Sequence, residues 1–250
     1  MEKRLLEELE LAGVAALYRL ADDPLPAAAA RHASERPDAD AGTRVHIVRE
    51  PDVPASHDAV RSAVAAMDWD ALEAAVRDCT ACGLCKQRKQ AVFGVGHRAA
   101  PWLFVGEGPG ADEDAQGEPF VGQAGRLLDS MLAAIGLARG REVYIANVVK
   151  CRPPGNRTPL PDEAAACAAF LDRQIELIRP KLIVAMGKTA ALRFLNTEAS
   201  LASLRGRLHR YRETALVVTY HPAYLLRNLP DKAKAWEDLL YARRMLRELS

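Results

Sequence analysis

Four short apolar runs, each ending in a loop of unusual composition, constrain this chain more than any other feature. Residues 102–105, 143–146, 182–185 and 215–218 are apolar at every position. A strand with one wet face alternates, so runs apolar throughout are expected to be covered on both sides. Helical patterns separate them at 124–135, 161–178 and 189–195, and 232–249 closes the chain. Strands alternating with helices predict an α/β fold, a four-stranded parallel sheet with helices on both faces. Ligands of such sheets bind beyond the carboxyl ends of the strands. The loops there, at 106–110, 147–154, 187–189 and 220–228, are rich in Gly, Pro, Asn or His and should form one site.

The segment ahead of this pattern is different. Residues 2–20 read as a short amphipathic helix. Residues 21–66, with Pro24, Pro26, Pro37, Pro51 and Pro54, read as a partly disordered linker. The boundary is expected near 69: residues 1–68 carry no chemistry and suit a protein partner, and 69–250 form the domain. No apolar run approaches the ~18 residues of a membrane span, and the N-terminus lacks a signal-peptide pattern. A cytoplasmic monomer, away from membranes, is the expectation. Formal charge is −8 over residues 1–138 and +9 over 139–250. A basic half suits a polyanion such as DNA.

Five cysteines occur, Cys79, Cys82, Cys85, Cys151 and Cys167. Disulfides are not expected in a cytoplasmic chain. The two-residue spacing of Cys79 and Cys82 turns both sulfurs toward one centre, but Cys82 and Cys85 share that spacing. With Cys151 and Cys167, four thiolates suit tetrahedral zinc or a cubane cluster, and a lone CxxC fits the cluster better. Alternatively Cys151 and Cys167 are ordinary buried thiols.

The loops carry the remaining chemistry. In Gly106-Glu107-Gly108-Pro109-Gly110, the glycines let a ligand approach the backbone closely. No Lys-Ser/Thr follows, so this is not a triphosphate-binding loop, and the acidic residues 112–114 point the same way. Phe120 offers a flat face for a base, or is a core side chain. The amide of Asn147 presents a donor and an acceptor side by side, matching a pyrimidine edge. The basic, proline-stiffened loop after it, with Arg152 and Arg157, could track phosphates. His221 stands where it could donate to an anion, and Tyr224, Leu225, Leu226 and Arg227 read as an apolar wedge with a cationic end.

Taken in order, Cys-Thr-x-Cys-x-Leu, GEGPGxxED, GxPFVGxAG, NVVKCRPPxNRTP and HPxYLLRN closely resemble the iron–sulfur (family 4) uracil-DNA glycosylases, over roughly residues 72–248. The resemblance implies the four-stranded α/β/α sandwich of that superfamily and the excision of uracil from DNA in base-excision repair. It further implies a [4Fe-4S] cluster on Cys79, Cys82, Cys151 and Cys167, with Cys85 spare. Glu107 would line the pocket floor, Glu113 would guard the pyrimidine C5 position, Phe120 would stack on uracil and Asn147 bind its edge. His221 would stabilise the departing anion, and residues 224–227 would enter the duplex. Where another branch carries a water-activating aspartate, this chain has Gly108. The rival reading is a catalytically silent iron–sulfur DNA-binding module.

Overall fold

The computed structural model describes residues 61–249. The helix expected over 2–20 and the linker up to 60 lie outside them. The linker stops earlier than 66: residues 61–65 are helical, and Val64 is 2% exposed within the core. Arg173 Nε fastens the same stretch by donating to the Met67 carbonyl at 2.8 Å. The packed unit therefore reaches several residues ahead of 69.

The sheet has six strands in the order β1-β3-β2-β4-β6-β5. Its centre is the expected parallel set: β2 (Trp102–Gly106), β3 (Val143–Asn147), β4 (Leu182–Met186) and β6 (Thr214–Thr219). The four-strand expectation omits two antiparallel edges, β1 (Val95–Gly96) beside β3 and β5 (His209–Tyr211) beside β6. Strands of two and three residues are too short to leave a period in the sequence.

Alternate side chains enter two cores. Leu103, Val105, Ile183, Ala185, Leu216 and Val218 face one way. They meet α1 (Trp69–Arg77), α4 (Pro161–Ile178) and α5 (Lys188–Leu195). Trp102, Phe104, Leu182, Val184, Ala215 and Val217 face the other way. Those pack on α3 (Gln123–Ala134) and α8 (Asp231–Glu248). Three layers result, which is why the strand runs lack polar positions. The remaining helices, α2 (Ala111–Gln116), α6 (Leu201–Leu204) and α7 (Pro222–Leu225), are short. Among the described residues no helix is long and apolar enough to cross a membrane.

Candidate active site

The carboxyl ends of β2, β3, β4 and β6 open into one cleft of about 480 Å³, within the range of small-ligand sites. Gly106 ends β2 beside Asn147, its partner at the end of β3. A Cβ on Gly106 would stand 2.5 Å from Phe120 Cζ and 2.6 Å from Asn147 Oδ1. The position must be glycine because those two side chains close over it. Asn147 is 2% exposed, and its buried Oδ1 has no hydrogen-bond partner. Such an orphan acceptor is costly unless a ligand satisfies it.

Phe120 is held in a left-handed backbone conformation, φ 58°, which side chains other than glycine rarely adopt. Two groups hold it there. The Glu113 carboxylate accepts from the N–H groups of Gly110, Val121 and Gly122 at 2.9–3.0 Å. Arg139 donates to the carbonyls of Pro119 and Phe120, both at 2.8 Å. Glu113 thus spends its oxygens bracing the loop that presents Phe120.

Across the cleft, His221 caps α7: its Nδ1 accepts from the Ala223 N–H at 3.2 Å. The ring centroid lies 5.5 Å from that of Phe120. Burial, aided by the Arg227 guanidinium and opposed by Glu113, pushes the imidazole down to about 4. The ring is therefore neutral at ordinary pH, with its proton on Nε2. Glu107 also lines the cleft, and its carboxylate accepts from the Thr189 hydroxyl. The cleft so assembled has an aromatic face, an unpartnered amide oxygen, a neutral imidazole and a carboxylate, which together suit a small planar ligand with polar edges.

Residues 93–240 match the family model described as the uracil DNA glycosylase superfamily. A type-4 uracil-DNA glycosylase of Thermotoga maritima is 45% identical over 177 residues, covering 69% of this chain and 92% of the relative. One from Archaeoglobus fulgidus is 44% identical over 159 residues (60% and 79%), and one from Pyrobaculum aerophilum 40% over 181 (69% and 92%). The chain belongs to the uracil DNA glycosylase superfamily, in its type-4 branch.

Within this branch member a second cavity, on the α1–α4 side, is lined by Cys79, Cys82, Cys85, Cys151 and Cys167 together with Arg88 and Lys150. Arg88 Nη1 donates to Cys151 Sγ at 2.8 Å and Nη2 to the Arg77 carbonyl at 2.7 Å. Burial pushes the Cys167 thiol up to about 12 and raises Cys82 and Cys151. Thiols so buried are inert unless cations favour the thiolate. Among the described residues no three Cys, His, Asp or Glu side chains converge on a single-ion site. The five thiols nonetheless line one cavity beside the Arg88 and Lys150 cations, a donor set that suits a group held by thiolates. All five cysteines share the cavity, so its lining does not separate Cys85 from the expected four.

The residues expected to meet DNA divide. Arg152, partly exposed, donates from Nε to Asn156 Oδ1 at 2.7 Å. Arg157 does not present a free guanidinium: both nitrogens bind Glu163, at 2.8 and 2.7 Å, and the same carboxylate caps α4 through Leu160 N–H. The structure separates the residues expected to form the wedge. Leu225 is 1% exposed in the core because one helical turn points it inward, whereas Leu226 is 38% and Leu229 60% exposed. Tyr224 is braced by Asp231 at 2.6 Å and stacked on Tyr220. Arg227 is exposed at the rim. Sequence reasoning gave no role to Arg139 or Leu229, and placed the 187–189 loop at the site without a role for Lys188 or Thr189. Only the GKT loop after β4 carried a signal for any of them.

Proposed function

We propose that this protein hydrolyses the N-glycosidic bond of uracil in DNA, releasing free uracil and leaving an abasic site for base-excision repair. The observation that carries this reading is the buried, unpartnered Oδ1 of Asn147 beside Phe120. Uracil offers an N–H flanked by carbonyls, so one fixed amide can accept from N3–H and donate to a carbonyl, a pattern that cytosine cannot match. A base in a duplex is out of reach until it is flipped, at a cost of a few kcal/mol. Leu226, exposed as is Leu229 three residues on, fills the vacated stack and offsets part of that cost.

With the base stacked on Phe120, the bond from N1 to C1′ breaks and its electron pair leaves on uracil. The anion spreads onto the carbonyl beside N1, where the neutral His221 ring donates from Nε2. A donor fixed before the charge develops favours the transition state over bound substrate. Glu107, held by Thr189, orients the water whose oxygen adds to C1′, and that water's proton is lost to solvent. Gly108 supplies no second carboxylate: a Cβ there would stand 2.7 Å from Val149 Cγ2. Thymine is excluded by its methyl at the wall braced by Glu113.

Cys79, Cys82, Cys151 and Cys167 would hold a [4Fe-4S] cluster, whose chemistry here is to cross-link the end of α1, the loop after β3, and α4. Arg152, Lys188 and Arg227 meet phosphates around the rim. A cytoplasmic setting is part of this proposal, supported by five cysteines none of which is in a disulfide. The test is release of free uracil from a uracil-containing oligonucleotide. Binding without release would leave the silent module in its place.

A further inference from the structure

Lys150 lies in the basic loop that follows β3, where the sequence suggests contact with phosphates. It is instead 1% exposed. Its ammonium donates to the backbone carbonyl of Asn147 at 3.1 Å and to Gln174 Oε1 at 2.6 Å. Both acceptors are neutral. An ammonium removed from water is costly unless an anion stands near it. The groups placed to supply that charge are the cysteines, as thiolates once they hold a cluster, since Lys150 lines their cavity. Its own backbone N–H donates to Cys167 Sγ at 3.3 Å, and its chain neighbour is Cys151.

The other end of the same side chain reaches the uracil site. Asn147 is the last residue of β3, so its carbonyl lies at the edge of the ladder. The orientation of that peptide determines where the Asn147 side chain stands over Gly106. Gln174 secures the ammonium in turn, donating from Nε2 to the Phe93 carbonyl at 3.0 Å. One residue therefore touches a sulfur ligand through its backbone N–H and braces the base reader through its buried ammonium.

We propose that Lys150 is a positioning residue that couples the cysteine-held cluster to the uracil pocket. With the cluster in place its thiolates balance the ammonium, and the ammonium holds the Asn147 peptide. Without it, the buried cation loses its counter-charge and the reader loses its brace. This rests on the pocket and cluster assignments given under the proposed function. Coupling is reciprocal: if the cluster favours base binding, base binding must favour the cluster.

The test compares wild-type holoprotein with Lys150→Met. Three quantities are measured: iron per chain, affinity for DNA with and without an uncleavable uracil analogue, and the rate at which an iron chelator bleaches the protein with either DNA bound. In the wild type, analogue DNA should slow bleaching several-fold more than undamaged DNA. In Lys150→Met that difference should vanish and the preference for analogue DNA should fall about tenfold, with affinity for undamaged DNA unchanged. An iron-loaded Lys150→Met protein that keeps both properties overturns the coupling alone. Should that variant not accumulate with iron, Gln174→Met decides: a partial loss of both supports the coupling, and wild-type behaviour overturns it. A wild-type protein without iron brings down the cluster assignment, and the coupling with it.

Discussion

His221 Nδ1 accepts a hydrogen bond from the Ala223 backbone N–H, 3.2 Å away. That nitrogen must therefore be unprotonated, and the ring's only proton sits on Nε2, free to donate into the cleft. A neutral donor at this place suits a leaving group that becomes anionic as its bond breaks.

The pH dependence follows from the same contact. Burial lowers the His221 pKa from 6.5 to about 4, so the unfolded chain binds a proton between those values that the folded chain does not. This contribution to stability is complete above about pH 6.5 and is lost as pH falls toward 4. Single-turnover rate should show no inflection near 6.5. Chemical denaturation across that range should show a loss of stability on acidification that is reduced in His221→Gln. A histidine-like inflection near 6.5 in the rate would assign His221 a charged role instead.

The two arginines of the loop after β3 should behave differently. Arg152→Ala should weaken binding about equally for uracil-containing and undamaged DNA, and lower the salt slope by about one. Arg157→Ala strips the Glu163 carboxylate of its bidentate partner and should lower Tm with a smaller change in salt slope. Fluorescence anisotropy over a salt series, with thermal melts, separates them.

The wedge assignment divides Leu225 from Leu226. Leu226→Ala should leave Tm near wild type and slow excision from duplex more than from single-stranded DNA, where no stack has to be filled. Leu225→Ala opens a cavity under α7 and should cost about 2–5 kcal/mol of stability. Equal effects of Leu226→Ala on both substrates would remove it from the flipping step.

For the cysteines, Cys85→Ser should retain iron and colour, while Cys79→Ser, Cys151→Ser or Cys167→Ser should lose both with much of the soluble yield. Iron analysis of the four purified variants is the check. Bleaching in Cys85→Ser alone would make Cys82 and Cys85 the pair.

Much of this architecture was legible beforehand because the strands are buried on both faces. A run such as 182–185 leaves no other reading, and the helix expected over 161–178 is α4 (Pro161–Ile178) itself. What stayed hidden depends on three-dimensional contact. Arg139 reaches back about twenty residues to the Phe120 carbonyl. Lys150 belongs to a loop that reads as basic and exposed, yet its side chain turns into the core. Leu225 and Leu226 look alike in sequence until a single helical turn sends one inward. The three backbone N–H groups that Glu113 binds, which explain how Phe120 keeps a positive φ, need coordinates to be seen.

The most direct measurement is the single-turnover rate of His221→Ala on a uracil oligonucleotide, alongside its affinity for DNA carrying an uncleavable uracil analogue. Losing one preorganised donor to a developing anion should slow the chemical step by about 10²–10³-fold. Analogue affinity should change far less, because the donor matters most once charge has formed. Asn147→Ala, run beside it, should impair both, since its amide reads the neutral base as well. A His221→Ala protein with the wild-type single-turnover rate would contradict the account, leaving His221 as a helix cap and nothing more.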